Sequence, residues 1–332
     1  MLEKFTNNSF LANIVQNETS IFYWANLYFN INVVNSPIHT TRAKKNDIDK
    51  FLYFFQSSLH SDNVSLWAPS VTKGFLKYLQ NQKSLKTNQL YISTTINRIL
   101  ATIRHFANWL IKNYTIPSGN PFTGVKLIQV EDPAWNGLTE NEIMRLKSAC
   151  DIRLNACNKK YQNPVLETAV FYILLMTGLR ESELAALNVK QYYNRGFHEV
   201  KRKGNKITKK IPLPKEAREY LEQHLASRSN ILDNDPLLLS RYSNRILTRD
   251  IARICQRIAR QASVHLSKEQ ELKLSPHMLR HTFLKRIADK HGIHVAQDLS
   301  GNISMKEIFR YTKPNYNEKL SIVEALYNDY IP

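Results

Sequence analysis

Apolar residues recur along the chain at three- and four-residue spacing, the repeat that lines one face of a helix. Between Asp47 and Leu59 they fall at Ile48, Phe51, Leu52, Phe55 and Leu59, which predicts a first helix. A second is expected after Pro69-Ser70, with Val71, Phe75 and Leu79 on one stripe and Lys73 and Lys77 beside it. The strongest pattern starts near Ser93: Ile96, Ile99, Leu100, Ile103, Phe106, Ala107 and Leu110 repeat while Arg98 and Arg104 stay off the stripe. Further on, Leu166 to Thr177 reads as a buried helix that Gly178 breaks. Phe197 to Val200 and Ile207 to Leu213 read as two short strands joined by the basic turn Lys203-Gly204-Asn205-Lys206, a hairpin. Helical patterns resume at Glu216 to Leu225, Thr248 to Ala262, Leu279 to Asp289 and near the C-terminus. No internal repeat, heptad series or low-complexity tract interrupts them.

The segment Glu131-Asp132-Pro133-Ala134-Trp135-Asn136-Gly137 gathers Pro, Asn and Gly just ahead of Leu138-Thr139-Glu140-Asn141-Glu142, a Thr-x-x-Glu capping box that opens a new helix. A domain boundary belongs there. It gives an N-terminal helical domain over 1–130, a linker over 131–137 and a C-terminal domain over 138–332. The length of 332 residues suits two domains, each able to bury its own core. The expected fold is mainly α with a small antiparallel β-sheet.

Charge changes the picture. Lysine and arginine number 46 against 28 acidic residues, a net charge of +18, which calls for a polyanionic partner more than for a small substrate. The first 130 residues hold 13 basic and 5 acidic side chains and the remainder 33 and 23, so both halves are basic, at +8 and +10. Two domains facing one polyanion, nucleic acid before an acidic membrane, fit that spread. Lys73, Lys77, Arg98 and Arg104 then become candidates for phosphate contacts. Cys150, Cys157 and Cys255 are too few and too scattered for a disulfide framework or a zinc site, in keeping with a reducing cytoplasm. The N-terminus lacks the pattern of a secretory signal, and the longest apolar run, Ala169 to Met176, is far short of a membrane span, so no membrane partner is expected.

Three short segments carry candidate chemistry. Thr177-Gly178-Leu179-Arg180-Glu181-Ser182-Glu183 sets an arginine just past a glycine break, where its fork can face a phosphate and Glu183, one turn on, can hold it; a surface ion pair is the plainer reading. In Ser275-Pro276-His277-Met278-Leu279-Arg280-His281-Thr282-Phe283, His277 and Arg280 are three apart and share a helical face, a proton carrier beside a fixed cation; a capping histidine beside a surface arginine is the alternative. The third segment is Ile308-Phe309-Arg310-Tyr311-Thr312, ordinary by itself.

Together these segments resemble the signature of the tyrosine recombinase (phage integrase) family, which includes the Xer-type recombinases. The likeness is an arginine after Thr-Gly-Leu with Glu at plus three, then His-x-x-Arg-His, then a tyrosine about thirty residues later, all in order. The family's hairpin lysine corresponds to Lys203, within Lys201-Arg202-Lys203-Gly204-Asn205-Lys206, with Lys206 as the fallback. The N-terminal half is similar to the family's core-binding domain, notably Ser93-Thr94-Thr95-Ile96-Asn97-Arg98, Phe106-Ala107-Asn108-Trp109-Leu110 and Asn120-Pro121. The likeness runs over roughly residues 40 to 325.

The resemblance implies a two-domain DNA clamp, a helical core-binding domain plus an α+β catalytic domain, that performs site-specific recombination on double-stranded DNA. It implies Tyr311 as nucleophile, Arg180 and Arg280 as the clamp on the scissile phosphate, His277 as proton acceptor, Lys203 as general acid, and Glu183 and His281 in support. A 3′-phosphotyrosyl link would store the energy of the broken bond, so neither metal, cofactor nor ATP is needed. The family acts as tetramers on paired sites, here with an accessory DNA-binding protein or second recombinase as a possible further partner. The last apolar stretch, Leu320 to Tyr327, would dock on a neighbouring subunit or pack on its own domain.

One position departs from the pattern. Where the family has histidine or tryptophan, about nine residues before the tyrosine, this chain reads Leu299-Ser300-Gly301-Asn302. Asparagine donates a hydrogen bond but does not trade a proton near neutral pH, so slower chemistry is expected; His291 and His294 lie nearby. Two other readings stay open: an accessory DNA-bending protein without catalysis, which rests on Asn302, and a monomeric type IB topoisomerase. Tyr316 is the next candidate nucleophile after Tyr311.

Overall fold

The computed structural model describes residues 17–84, 87–130, 137–156, 162–202, 206–301 and 316–328. The chain divides into two compact units, Met1–Glu131 and Asp132–Pro332.

The first unit is built from four helices: α1 (Ile21–Asn32), α2 (Ile38–Leu59), α3 (Pro69–Gln80) and α4 (Ser93–Asn113). Pro69 occupies the first turn of α3, where its missing N–H costs nothing. The stripe Ile96, Ile99, Leu100, Ile103, Phe106, Ala107 and Leu110 of α4 is buried, and α4 packs on each of the other three helices. Aromatic rings fill the space between them. Phe51 lies 4.7 Å from the Trp67 ring and 5.1 Å from Phe75, and Trp67 lies 5.4 Å from Phe106. Each such ring taken out of water stabilises the unit by about 1.5–3 kcal/mol. One helix more is present than the apolar spacing predicts: α1 is apolar around most of its circumference, so no stripe marks it. Helix α2 also begins at Ile38, nine residues before the predicted start at Asp47, because its first turns, His39 to Asn46, are polar and mostly solvated.

The second unit is organised around α6 (Pro164–Thr177), buried from Leu166 to Leu175 and mostly apolar around its circumference, with the buried Glu167 ion-paired to Arg153 and Arg257. Around it stand α5 (Glu140–Ala156), α8 (Lys215–Ala226), α9 (Thr248–Ala262) and α10 (Pro276–His291). The expected capping box opens α5: Thr139 N–H donates to Glu142 at 2.7 Å and Glu142 N–H donates back to the Thr139 hydroxyl at 3.3 Å. A three-stranded antiparallel sheet follows the short helix α7 (Glu181–Ala186), in the order β1 (Tyr192–Tyr193), β2 (Gly196–Lys201), β3 (Ile207–Pro212). The hairpin register pairs Phe197 with Ile211 and Val200 with Thr208. The two-residue strand β1 and helix α11 (Ile293–Ser300) are elements that periodicity did not predict, since neither is long enough to show one. A last helix spans Tyr316–Asn328, with Leu320, Ile322, Val323 and Leu326 exposed. The fold is thus mostly helical with one small antiparallel sheet. Among the described residues, no helix is long and apolar enough to cross a membrane.

Candidate active site

The site begins at a forced turn. Helix α6 ends at Thr177, and Gly178 takes a left-handed φ of 61° to cap it, donating its N–H to Leu174 O at 3.2 Å. A side chain there meets a second obstacle, since a Cβ would lie 2.3 Å from Cδ1 of Phe283 on α10. Only glycine lets the end of α6 press against α10, and the chain then leaves through buried Leu179 to Arg180.

Arg180 is the extended N-cap of α7, with its backbone N–H on Glu183 Oε2 at 2.9 Å and its Nη1 on Glu183 Oε1 at 2.8 Å. Glu183 is buried, with 4 % of its side chain exposed, whereas Arg180 keeps 25 %. The pair differs from a surface ion pair because the carboxylate is out of water and aims the cation.

Arg280 lies on α10 and is 1 % exposed. Its two Nη groups donate to Gly178 O and, at 2.9 Å, to Ser300 O. Both acceptors sit at helix C-termini, α6 and α11, where carbonyls lack intrahelical partners and the helix dipole is negative. The local field of two converging helix ends therefore accommodates a buried guanidinium.

His277 is one helical step from Arg280, just after the Ser275 cap and Pro276, and is open to solvent. Its imidazole is held below the ordinary 6.5 first by its packed surroundings, then by Arg280, then by Arg180. The bond from Arg280 to Gly178 O brings the α10 pair His277 and Arg280 to the turn that leads into Arg180, about a hundred residues away in sequence. His281 stacks edge-on to His277 at 4.5 Å and is pushed down to about 4, by burial first and then by His277 and Arg280. At neutral pH both rings are uncharged, which leaves His277 able to accept a proton.

The remaining expected residues are placed as follows. Lys203, Asn302 and Tyr311 lie outside the described residues. Arg202 N–H donates to Lys206 O at 2.7 Å at the end of the hairpin, and Lys206 is exposed. His291 and His294 are exposed, at the end of α10 and in α11. In the first unit Lys73 and Lys77 are exposed, as a phosphate contact requires. Arg98 and Arg104 are engaged within the unit instead. Arg98 pairs with buried Asp47, one contact at 2.9 Å, and Arg104 donates to Val125 O at 3.2 Å while stacking over Phe122 at 5.0 Å.

Two groups escaped sequence reasoning. Arg202 is fully buried inside the site, against Glu183. Its signal was strand alternation: Arg202 stands two positions past core-facing Val200 and so shares its side of the sheet, although it looks like one more cation in a basic run. The other is an open cleft of about 830 Å³ between the start of α6 and α9, lined by Arg241, Arg245, Arg249, Arg253 and Arg257. The last three recur at four-residue spacing on one face of α9. Among the described residues no group of three or more His, Cys, Asp or Glu could hold a metal ion. Cys150 and Cys255 are buried, unpaired thiols, each pushed up to about 12 chiefly by burial.

Comparison with known proteins gives the family and the fold. The family model "Phage integrase family" matches residues 136–318. The chain is 31 % identical over 296 residues to Tyrosine recombinase XerC of Pseudomonas fluorescens (strain Pf0-1), covering 86 % of this chain and 89 % of that protein. It is 26 % identical over 295 residues to Tyrosine recombinase XerC of Thermodesulfovibrio yellowstonii, with the same coverage. The Tn1549 transposon integrase, solved in complex with circular intermediate DNA, shares its fold with a TM-score of 0.67 at 21 % identity, covering 90 % of this chain and 97 % of that one. A lambda integrase dimer bound to a core site gives 0.65 at 14 % identity, covering 90 % and 97 %. The chain belongs to the phage integrase family of tyrosine recombinases. The relatives carry recombinase names, which leaves the DNA-bending accessory reading without support.

Proposed function

We propose that the chain is a site-specific DNA recombinase that cuts and rejoins double-stranded DNA through a 3′-phosphotyrosyl intermediate, without metal or ATP. The observation that carries this reading is the hydrogen bond from Arg280 to Gly178 O, which brings Arg280 and His277, one turn apart on α10, to the turn that carries Arg180. Phosphodiesters resist attack because their oxygens are negative, so the catalyst must neutralise charge and align the nucleophile. Arg180 and Arg280, permanently protonated and fork-shaped, stabilise the charge that builds on the non-bridging oxygens. Tyr311 attacks the phosphorus, and neutral His277 takes the phenolic proton, since a tyrosine of ordinary pKa near 10 is otherwise un-ionised. Lys203 protonates the departing 5′ oxygen. Asn302 donates a hydrogen bond where relatives of the family have a titrating or bulky group. The 5′ hydroxyl of a partner strand reverses the step.

Around that centre, the 1–130 helical domain grips one face of the duplex with Lys73 and Lys77, the 138–332 domain performs catalysis, and residues 131–137 join them. Lys206 and the arginine cleft beside α9 offer further phosphate contacts to the catalytic domain. The enzyme works in the cytoplasm as a tetramer on paired sites, with the exposed apolar face of Tyr316–Asn328 docking on the next subunit. An accessory DNA-binding protein or a second recombinase would complete some assemblies. Deleting residues 319–332 is then expected to weaken assembly on DNA while the monomer still folds.

The test uses nicked duplexes selected for binding from a random pool, labelled at either end and incubated with the full chain in chelator and without ATP. The reading expects a covalent adduct on the 3′-phosphate side and a free 5′ hydroxyl. A 5′-linked adduct, or cleavage that requires added divalent metal, would refute it.

A further inference from the structure

We infer that Arg202 is a positioning residue of the recombination site, one that fixes the spacing of the two phosphate-clamping arginines. The inference rests on the reading that Arg180 and Arg280 neutralise the scissile phosphate.

A buried cation is costly unless acceptors of suitable geometry surround it. None of the Arg202 side chain is exposed, and its three donors reach three different elements. Nη1 donates to Glu183 Oε2 on α7 at 2.6 Å, Nε donates to Thr208 Oγ1 on β3 at 3.0 Å, and Nη2 donates to Leu299 O in the last turn of α11 at 3.2 Å. A rigid planar fork meets all three only when α7, the hairpin and α11 stand in one arrangement.

Two of those elements lead directly to the catalytic arginines. Glu183 Oε2, which accepts Arg202, also accepts the backbone N–H of Arg180, while Oε1 accepts the Arg180 guanidinium. On α11, consecutive carbonyls are shared out: Leu299 O goes to Arg202 and Ser300 O to Arg280. The contacts therefore run without a gap from Arg180 through Glu183, Arg202 and the end of α11 to Arg280. The next residue, Gly301, has φ 62°, and a Cβ there would stand 2.8 Å from Arg202 Nε. The backbone is thus pressed onto the Arg202 side chain at the point where the chain sets out toward Tyr311.

The experiment measures single-turnover cleavage by the full chain at saturating protein, on a nicked duplex whose scissile phosphate is either ordinary or a methylphosphonate. The latter has a methyl group in place of one charged oxygen, so it needs less cationic help. Arg202→Lys keeps the charge but not the fork, and Gly301→Ala crowds the fork without altering any charge; DNA binding and thermal melting are followed alongside. Both variants are expected to lose roughly 100-fold in cleavage of the ordinary phosphate, the scale of a small misplacement in a catalytic constellation. DNA affinity should stay within about twofold, and the methylphosphonate should recover most of the loss for Arg202→Lys as it does for Arg180→Ala. Recovery by Arg180→Ala but not by Arg202→Lys would overturn the inference, because a merely structural role gives the same deficit on both substrates. Undiminished cleavage by Arg202→Lys would overturn it as well. Failure of Arg180→Ala itself to recover would instead sink the underlying reading of Arg180.

Discussion

Asp47 in the first unit and Glu183 in the second are both carboxylates buried against arginine, with 1 % and 4 % of their side chains exposed, yet their partners differ. Arg98 leaves 51 % of its side chain in water and shares Asp47 with the Thr102 hydroxyl, 2.9 Å away on the same helix. Glu183 is wedged between Arg180, partly open, and Arg202, fully buried, and a further buried cation, Arg280, stands on helix-end carbonyls close by. In the first case one carboxylate pins a helix through a cation that water already solvates. In the second, cations are taken out of water and held by groups that cannot move. Stability alone does not favour that second arrangement, since buried ion pairs are often no better than apolar packing of the same volume. Under the proposed function that arrangement holds charge in place ahead of the reaction.

The comparison is broken most directly at Arg280. Arg280→Lys should abolish cleavage by about 10³-fold or more. It should also destabilise the second unit by roughly 1–3 kcal/mol for each helix-end carbonyl left unsatisfied. Cleavage assays and denaturant melts read the two losses separately, and a variant that melts normally and still cleaves would return Arg280 to the class of Arg98. Gly178→Ala should cost at least about 2 kcal/mol, because left-handed backbone is strained for alanine and the new methyl group meets Phe283. A parallel loss of cleavage in the surviving folded fraction would tie the turn to the site.

In the first unit, Arg98→Ala should destabilise by about 1–2 kcal/mol once solvent screening of the half-exposed arginine is allowed for. It should leave the salt dependence of DNA binding unchanged, whereas Lys73→Ala and Lys77→Ala should each lower the salt slope by about one without touching stability. A reduced slope for Arg98→Ala would mean that this arginine serves DNA as well as Asp47. The smallest expected effect is a pH dependence. His277, His281 and His224 all titrate below the ordinary 6.5, the last two near 4 and chiefly through burial. The unfolded chain therefore binds more protons than the folded one between about 6.5 and 4, so stability is complete above that window and falls as pH drops through it. Thermal melts from pH 7.5 to 4.5 should show the decline, and His224→Phe should flatten it. For cleavage, a depressed His277 keeps its acceptor form in mild acid, so the acid limb of the rate profile should lie below pH 6.5.

Much of this architecture was legible in the sequence where a helix carries a one-sided stripe, as in α3, α4 and α9, or where a cap is written out, as at Thr139. It was illegible where periodicity has nothing to act on. Helix α1 is apolar nearly all round, the opening turns of α2 are polar nearly all round, and α11 is only eight residues long. In the site, Arg180, Arg280, His277 and Glu183 were singled out because their segments, taken in order, resemble the family's signature; the spacing of each segment alone fitted a surface ion pair or a helix cap equally well. Arg202 was not, because its neighbours Lys201 and Lys206 are exposed cations and only the alternation of β2 turns it inward. The same blindness ran the other way at Arg98, whose partner Asp47 lies 51 residues off and is invisible to local spacing.

The central claim is that one phosphate is gripped by Arg180 and Arg280 within reach of one phenol, and the position of the covalent bond tests it most directly. Adducts trapped on a nicked duplex would be digested and the DNA-linked peptide sequenced, for the natural chain, for Tyr311→Phe and for Arg280→Lys. The account predicts a single linkage at Tyr311, lost in both variants. A linkage at Tyr316 or any other residue, or an adduct that persists in Tyr311→Phe, would contradict it.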